Sequence, residues 1–189
     1  MTRIGVILAG GASRRMGGDD KGALKLGGRR LVDHVAAKLT PQIDRLLIAG
    51  PNSYGLDCDF VTDRSNGPAG PAAALWSAAH WISEYEPHAS GFLTAPVDGP
   101  FLPDDLFEKL SADGGCAIAT DDSGDHPTFA CWKLNVLLPV LADIKAGEGA
   151  ALHDIAVKCN ATRVLFPDAA ALMNVNSPED LARAEAMLG

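Results

Sequence analysis

Short apolar runs alternate with longer segments whose apolar residues recur at helical spacing, and this alternation covers most of the chain. The runs contain β-branched residues and are too short for helices, which indicates buried strands. They predict strands at residues 3–9, 45–49, 60–62, 92–95, 116–120, 128–132 and 163–166. The longer segments predict helices at residues 31–39, 71–85, 103–110, 136–145 and 152–158, and a last helix that opens at residues 177–178.

Strands separated by helix-length segments predict βαβ units, a largely parallel sheet and right-handed crossovers. The fold class is therefore α/β: a single three-layer α/β/α domain over residues 1–189, with a mostly parallel, Rossmann-like sheet. The sequence contains no internal repeat, low-complexity tract or domain linker that would divide it. The polar stretch at residues 121–126 is predicted to be a loop between two strands. In such sheets ligands collect at the carboxyl ends of the strands.

The segment that follows the first strand carries the clearest chemical signal. Residues 8–21 read LAGGASRRMGGDDK, and glycines directly after a strand let backbone N–H groups approach a phosphate closely. Arg15 and Lys21 would add positive charge to the same loop. The pattern is neither a Walker A loop nor GxGxxG, and the alternative is a glycine turn whose arginines face solvent.

The distribution of charge favours a small phosphorylated ligand. The chain has a formal net charge of −8, yet residues 14–30 hold six basic residues against two acidic ones, a local charge of +4. A negative chain with one basic segment does not suit nucleic acid or an anionic membrane. No apolar stretch reaches the ~18–20 residues of a membrane span, and the apolar start is too short for a signal peptide. These features favour a cytoplasmic protein without nucleic-acid or membrane partners.

Two further segments are candidates for metal and ligand contacts. Asp98 follows a predicted central strand and lies between two prolines, so it is expected on stiff backbone at the carboxyl edge. A carboxylate there suits Mg²⁺, which needs few protein ligands; a turn Asp that caps its own backbone is the alternative. Asn174 and Asn176 flank one residue, so on an extended segment both would point the same way toward a ligand. Asparagine before a helix also fits turn chemistry.

The remaining reactive residues give weaker predictions. Asp125 and His126 are neighbours in sequence, which rarely act as a catalytic pair, and no nucleophile motif such as GxSxG occurs. A hydrolase is therefore not favoured. The four cysteines have no CxxC spacing and are predicted to be buried or half-buried free thiols.

Together these motifs resemble those of the molybdenum cofactor guanylyltransferases, bacterial enzymes that join GMP to molybdopterin. LAGGASRRMGGDDK resembles the family's amino-terminal signature and PVDGP at residues 96–100 its P-x-D-x-P motif. DHPT at residues 125–128 and NVNSPEDL at residues 174–181 are close matches as well. The resemblance covers the length of the chain. It implies a fold like that of the nucleotide-diphospho-sugar transferases.

The resemblance implies transfer of GMP from GTP to the terminal phosphate of molybdopterin, with Mg²⁺ as cofactor and pyrophosphate as product. Other cofactor-biosynthesis proteins or apo-molybdoenzymes are candidate partners for the product. The residues that it implies to bind nucleotide are Leu8, Ala9, Gly10, Gly11, Lys21, Asp63 and Asp98. Those implied to be catalytic are Arg15, Lys21 and Asp98, with Asp98 as the magnesium ligand. Those implied at the acceptor end, where they would also complete the metal site, are Asn174 and Asn176.

The sequence departs from the family pattern at a few positions that bear on base choice and pterin recognition. They are Ala49 in place of Asn, GPAG at residues 67–70 in place of GPLAG, Val97 in place of Cys, and residues 149–151, where the family can carry arginine. The CTP-dependent cytidylyltransferase is the nearest alternative, although the Gly10–Gly11 pair favours guanine. A sugar-1-phosphate nucleotidyltransferase would be longer. A non-catalytic nucleotide-binding or cofactor-delivery protein would not need Lys21 and Asp98 together.

Overall fold

The computed structural model describes residues 2–10, 20–168 and 170–188. Its strands are β1 Ile4–Leu8, β2 Lys25–Leu26, β3 Arg29–Arg30, β4 Arg45–Ala49, β5 Asp59–Val61, β6 Gly91–Pro96, β7 Ala117–Asp121, β8 Gly124–Lys133 and β9 Thr162–Leu165. Its α-helices are α1 Leu31–Leu39, α2 Pro71–Tyr85, α3 Leu106–Ser111, α4 Leu134–Ala142, α5 Leu152–Lys158 and α6 Pro178–Leu188. Two short 3₁₀ turns, Lys21–Ala23 and Thr40–Gln42, precede β2 and β4.

A seven-stranded sheet forms the centre of the fold, in the order β5-β4-β1-β6-β8-β7-β9. Every neighbouring pair is parallel except the two that involve β8, which runs antiparallel to β6 and β7. The strands β1, β4, β5, β6, β7 and β9 therefore all end at one edge, called the carboxyl edge below, where β8 begins. This mostly parallel sheet with flanking helices confirms the predicted fold class.

Apolar side chains cover both faces of the sheet. Val6 and Ile7 are neighbours on β1, both are fully buried, and they belong to two different core clusters. Because successive side chains of a strand point to opposite faces, β1 is enclosed on both sides. One cluster includes residues of α2, α4 and α5, and the other includes residues of α1 and α3. The three-layer arrangement follows from these two interfaces.

The largest departure from the sequence pattern is at the β7–β8 hairpin. The predicted loop at residues 121–126 is wrong, since Asp121 ends β7 and residues 124–126 already pair with β7 as part of β8. Only Asp122 and Ser123 form the turn. The register then shifts between Ile118 and Ala119, and residues 127–129 are left without partners on β7. Pro127 lies in this bulge because it has no N–H to give to a ladder.

Smaller differences concern short elements and helix ends. The β2–β3 hairpin was not predicted, since two-residue strands leave no periodic signal. The helix α3 begins three residues later than predicted, and α4 lies two to three residues earlier. All four cysteines are free, three of them buried and one half-buried, as predicted. Within the described ranges, no helix has the length and apolar character that a bilayer crossing requires.

Candidate functional site

Three segments from the carboxyl edge meet around the side chain of Lys21. Its Nζ donates to Asp98 Oδ2 at 2.7 Å and to Asn176 Oδ1 at 2.6 Å. Lys21 follows the glycine-rich segment after β1, Asp98 lies in the turn after β6, and Asn176 lies between β9 and α6. Separations of 77 and 155 residues along the chain mean that the tertiary fold brings these groups together.

Backbone hydrogen bonds hold the turn that carries Asp98. The Val97 N–H donates to the Leu8 carbonyl at 3.1 Å, and the Gly99 N–H closes the turn on the Pro96 carbonyl at 3.1 Å. The first of these bonds extends the pairing of β1 with β6 beyond the strands. The carboxylate of Asp98 therefore projects from a stiff backbone, with a side-chain exposure of 15%.

The asparagine segment runs beside this turn. The Val175 N–H donates to the Asp98 carbonyl at 2.8 Å, and the Val175 side chain is fully buried. Its two sequence neighbours are less buried: Asn174 is half-buried and Asn176 is exposed. Among the described residues, the buried Asn174 Oδ1 has no hydrogen-bond partner. A buried acceptor left unsatisfied costs free energy, and a bound cation, water or substrate donor would supply its partner.

The turn that presents Lys21 is anchored by Asp20. Its Oδ1 accepts the Gly22 N–H at 2.9 Å and the Tyr54 hydroxyl at 2.7 Å. Burial and the neighbouring Asp20 carboxylate raise the pKa of Tyr54, so the phenol remains a donor. Asp20 and Tyr54 were missed at the sequence level. The signal available there was an Asp directly before the short turn, which is a common capping arrangement.

On the other side of β1, the nucleotide-binding candidates lie around Gly10. The Ala9 N–H donates to the Ala49 carbonyl at 2.8 Å, which continues the β1–β4 pairing. A Cβ built on Gly10 would lie 3.7 Å from Asp63 Oδ1, so the Asp63 carboxylate faces this backbone. Asp63 is accessible to solvent, but the protein around it partly desolvates the carboxylate and raises its pKa. Leu8 packs its side chain into the core.

Two of the departures from the family pattern lie side by side. The Ala69 N–H donates to the Glu148 carbonyl at 2.8 Å, and the Gly147 N–H donates to the Gly67 carbonyl at 3.0 Å. Ala69 and Gly149 also form an isolated parallel bridge. The shortened loop at residues 67–70 is thus joined to the segment that precedes residues 149–151. The sequence did not predict this contact between segments so far apart.

The structure brings some of the predicted site residues together and leaves others outside its description. Lys21, Asp98 and Asn176 are in direct contact, Asn174 lies beside them, and Leu8 is linked to them through Val97. Gly10 and Asp63 face each other. Gly11 and Arg15, the predicted phosphate contacts, fall within residues 11–19, outside the described residues.

The donor set around Asp98 fits a hard cation that binds through few protein oxygens. In the part of the chain that the structure describes, no three His, Cys, Asp or Glu side chains form a metal-binding group. Asp98 offers one carboxylate, and Asn174 and Asn176 offer amide oxygens, of which the Asn174 Oδ1 is buried and unsatisfied. Mg²⁺ accepts such a set because it keeps waters and takes further oxygens from phosphates.

Residues 5–159 match the family model described as the MobA-like NTP transferase domain. The molybdenum cofactor guanylyltransferase of Cereibacter sphaeroides is 41% identical over 194 residues, covering 100% of this chain and 98% of that protein. The protein of the same name from Rhizobium leguminosarum bv. trifolii is 33% identical over 195 residues, covering 97% of this chain and 92% of its own length.

Solved structures show the same fold at low identity. Molybdopterin-guanine dinucleotide biosynthesis protein A from Archaeoglobus fulgidus superposes with a TM-score of 0.71 at 21% identity, covering 98% of each chain. The 4-diphosphocytidyl-2C-methyl-D-erythritol synthase from Anaerococcus prevotii has a TM-score of 0.71 at 12% identity, covering 99% of this chain and 98% of its own. The family model and the full-length relatives establish the relationship: the chain belongs to the molybdenum cofactor guanylyltransferase family, within the MobA-like NTP transferases.

Proposed function

We propose that the protein transfers GMP from GTP to the terminal phosphate of molybdopterin and releases pyrophosphate. The observation that carries the proposal is the contact of Lys21 with Asp98 and Asn176 at the carboxyl edge. One cation, one carboxylate and an amide thus meet beside the end of β6, next in sequence to the glycine-rich segment that we propose binds phosphate. Relatives that match over nearly their whole length are named guanylyltransferases, which favours GTP over CTP as the donor.

Asp98 is the proposed ligand of a magnesium ion, and the oxygens of Asn174 and Asn176 would complete its protein contacts. Bound there, the ion would neutralise negative charge on the phosphates. The hydrogen-bonded turn around Asp98 limits movement of the backbone that carries its carboxylate, so little backbone reorganisation is needed when ligands bind. The unsatisfied Asn174 Oδ1 supports this assignment, because it is an acceptor that still requires a partner.

Lys21 is the proposed contact to the triphosphate. An ammonium group has three donors, and two of them are directed to Asp98 and Asn176. The third can reach a phosphate oxygen, since 22% of the side chain is exposed. Lys21 would then neutralise phosphate charge, while Asp98 and Asn176 hold it between the nucleotide and the acceptor.

The reaction does not require a general base from the protein. The second pKa of a phosphate monoester is about 6, so the attacking phosphate of molybdopterin is mostly ionised at neutral pH. In-line attack on the α-phosphorus of GTP then depends on positioning and on charge neutralisation. The side chains at the carboxyl edge suit this task, since the contact at its centre is a cation held by a carboxylate and an amide.

Pyrophosphate release by the purified protein tests the proposal. We expect release with GTP and Mg²⁺ only when molybdopterin is present, and little release with CTP. Release with CTP alone among the nucleotides would identify a cytidylyltransferase. A protein that binds GTP, as seen by an increase in melting temperature, but releases no pyrophosphate with molybdopterin would be a carrier or a sensor.

A further inference from the structure

Asp121 is the one carboxylate among the buried residues that the structure describes. Its side chain is 2% exposed and lies at the end of β7. It accepts the backbone N–H and the hydroxyl of Ser123 at 2.7 and 2.6 Å, and its Oδ2 lies 3.0 Å from His126 Nε2. Burial alone would raise the pKa of Asp121, but these bonds outweigh burial and lower it.

The Asp121–His126 pair has no part in the mechanism above, although it lies at the same edge of the sheet. The strand β7 ends at Asp121 in the same direction as β6, which leads to Asp98, and β8 lies between the two. A buried carboxylate held by polar partners adds little net stability compared with apolar residues of similar volume. A pair kept at a carboxyl edge is therefore a candidate for a functional role.

A chain of side-chain contacts leads from His126 to Asp98. The ring of His126 meets the ring of Phe129 edge-on, with centroids 6.4 Å apart. Phe129 is fully buried, and a Cβ built on Gly99 would lie only 2.5 Å from its Cζ. Phe129 thus fills the space directly against the residue that follows Asp98.

The backbone of β8 does not fix Phe129 by itself. The register of β8 with β6 begins at Ala130, and its register with β7 skips residues 127–129. Phe129 therefore lies in a bulge without a paired residue on either neighbouring strand. Bulges next to functional sites re-aim side chains. Phe129 packs in the core cluster that includes Val97 and Leu102, and the ring of His126 meets it edge-on from the hairpin.

We propose that His126, held by Asp121, is a positioning residue that keeps Phe129 against Gly99 and thereby orients the carboxylate of Asp98. The inference rests on the proposed function, because the role of Asp98 as a metal ligand is part of that function. His126 itself touches neither nucleotide nor metal in this account. Its effect is expected on the affinity of the Asp98 site for a cation.

The test measures binding of Mn²⁺, which takes the same oxygen ligands as Mg²⁺, to the full chain with GTP by electron paramagnetic resonance. His126→Ala should raise the Mn²⁺ dissociation constant by about tenfold, as is usual for groups that orient metal ligands. The KM for GTP should change little while kcat falls. His153→Ala is the matched control. The side chain of His153, on α5, is half exposed, and its Nδ1 lies 3.6 Å from Asp125, which is on the same strand as His126.

His126→Gln separates positioning from a purely structural role. Its amide can still donate to Asp121, so the protein should keep its melting temperature, but it has no ring to pack against Phe129. We expect His126→Gln to lose Mn²⁺ affinity as His126→Ala does. A folded His126→Gln or His126→Ala protein with unchanged Mn²⁺ affinity would overturn the proposal.

Asp98→Ala distinguishes this failure from failure of the proposed function. If Asp98→Ala binds Mn²⁺ with GTP as tightly as the wild type, Asp98 is not the metal ligand and both proposals fail. If Asp98→Ala loses Mn²⁺ while both His126 variants retain it, only the positioning role is wrong.

Discussion

Two carboxylates at the carboxyl edge have opposite environments. Asp63 follows β5 and lies beside Gly10, with no hydrogen bond or ion pair to any described residue, and partial desolvation raises its pKa. Asp121 ends β7 and accepts hydrogen bonds from Ser123 and His126, which lower its pKa despite deeper burial. The first belongs to the half of the sheet that we propose binds nucleotide, strands β5, β4, β1 and β6, called the nucleotide half below. The second belongs to the hairpin half, strands β8, β7 and β9.

The difference indicates how the site is divided. In the nucleotide half, Asp63 has no polar partner among the described residues, and Asn174 Oδ1, beside Asp98, is likewise unsatisfied among them. In the hairpin half, Asp121 and Asp125 are paired with side chains of the same half, Ser123, His126 and Arg163. Asp98 lies where the two halves meet, since β6 pairs with β1 on one side and β8 on the other. We therefore expect bound ligands to supply hydrogen-bond partners to the nucleotide half, and the hairpin half to support Asp98 without contacting the ligands.

Among these variants, removal of Lys21 should impair guanylyl transfer by the nucleotide half most strongly. Lys21→Met is expected to lower kcat/KM for guanylyl transfer by about 10²–10³-fold, the usual loss when one charge-stabilising donor is removed. Without GTP, the same variant should bind Mn²⁺ about fivefold more tightly. The reason is that Asp98 is released from an ion pair worth roughly 1 kcal/mol.

Lys25→Met is the charge-matched control for that variant. Lys25 is exposed on β2 and forms no ion pair within the described ranges. Its loss should leave both turnover and Mn²⁺ binding close to those of the wild type. Unchanged Mn²⁺ binding by Lys21→Met would mean that Lys21 does not compete for Asp98.

In the hairpin half, His126→Ala should lower stability. Its loss leaves a buried carboxylate with one fewer donor, at a cost of about 1–3 kcal/mol. For a chain of this size each kcal/mol corresponds to about 2–4 °C in melting temperature. His153→Ala, which removes a half-exposed partner of Asp125, should melt close to the wild type. Equal melting temperatures for the two variants would contradict the account of the buried pair.

The smallest expected effect concerns pH: Asp121 and Asp63 should change the free energy of unfolding in opposite directions as pH rises. The lowered pKa of Asp121 means that its contribution to the free energy of unfolding is present above its unfolded pKa of about 3.9 and lost as pH falls below it. The raised pKa of Asp63 has the reverse consequence: its contribution is present in acid and lost as pH rises through the folded value.

Urea unfolding of Asp63→Asn and Asp121→Asn between acid and neutral pH measures both signs. Relative to the wild type, Asp121→Asn should be least stable at neutral pH and recover in acid, whereas Asp63→Asn should gain stability as pH rises. Asp33 and Asp180, whose pKa values are also lowered, remain in both variants and contribute the same background. Parallel pH curves for the two variants would contradict the comparison.

The nucleotide half could be predicted from sequence because its elements leave local signals. An apolar strand, a glycine-rich loop and Lys21 follow one another directly, and Asp98 stands between two prolines after a strand. Parallel strands bring such loops to one edge wherever they lie in the chain. The contact of Lys21 with Asp98 is consistent with that expectation.

The hairpin half was harder to predict because its strand begins with polar residues. Residues 124–126 have the composition of a loop and were predicted as part of one. In the structure Asp125 and His126 pair with β7, and their side chains bond Arg163 and Asp121. The bridge between Ala69 and Gly149 was not predicted for the same reason, since it joins segments far apart in the sequence. Such contacts depend on the packing of distant segments and leave no periodic pattern in the sequence.

The central claim is that Asp98 supports guanylyl transfer at the seam of the two halves, and Asp98→Asn tests it most directly. The measurement is the rate of pyrophosphate release with GTP and molybdopterin at saturating Mg²⁺, with the melting temperature as the check on folding. The account predicts a loss of at least about 10²-fold in a protein that melts like the wild type. A folded Asp98→Asn protein that releases pyrophosphate at nearly the wild-type rate would contradict it.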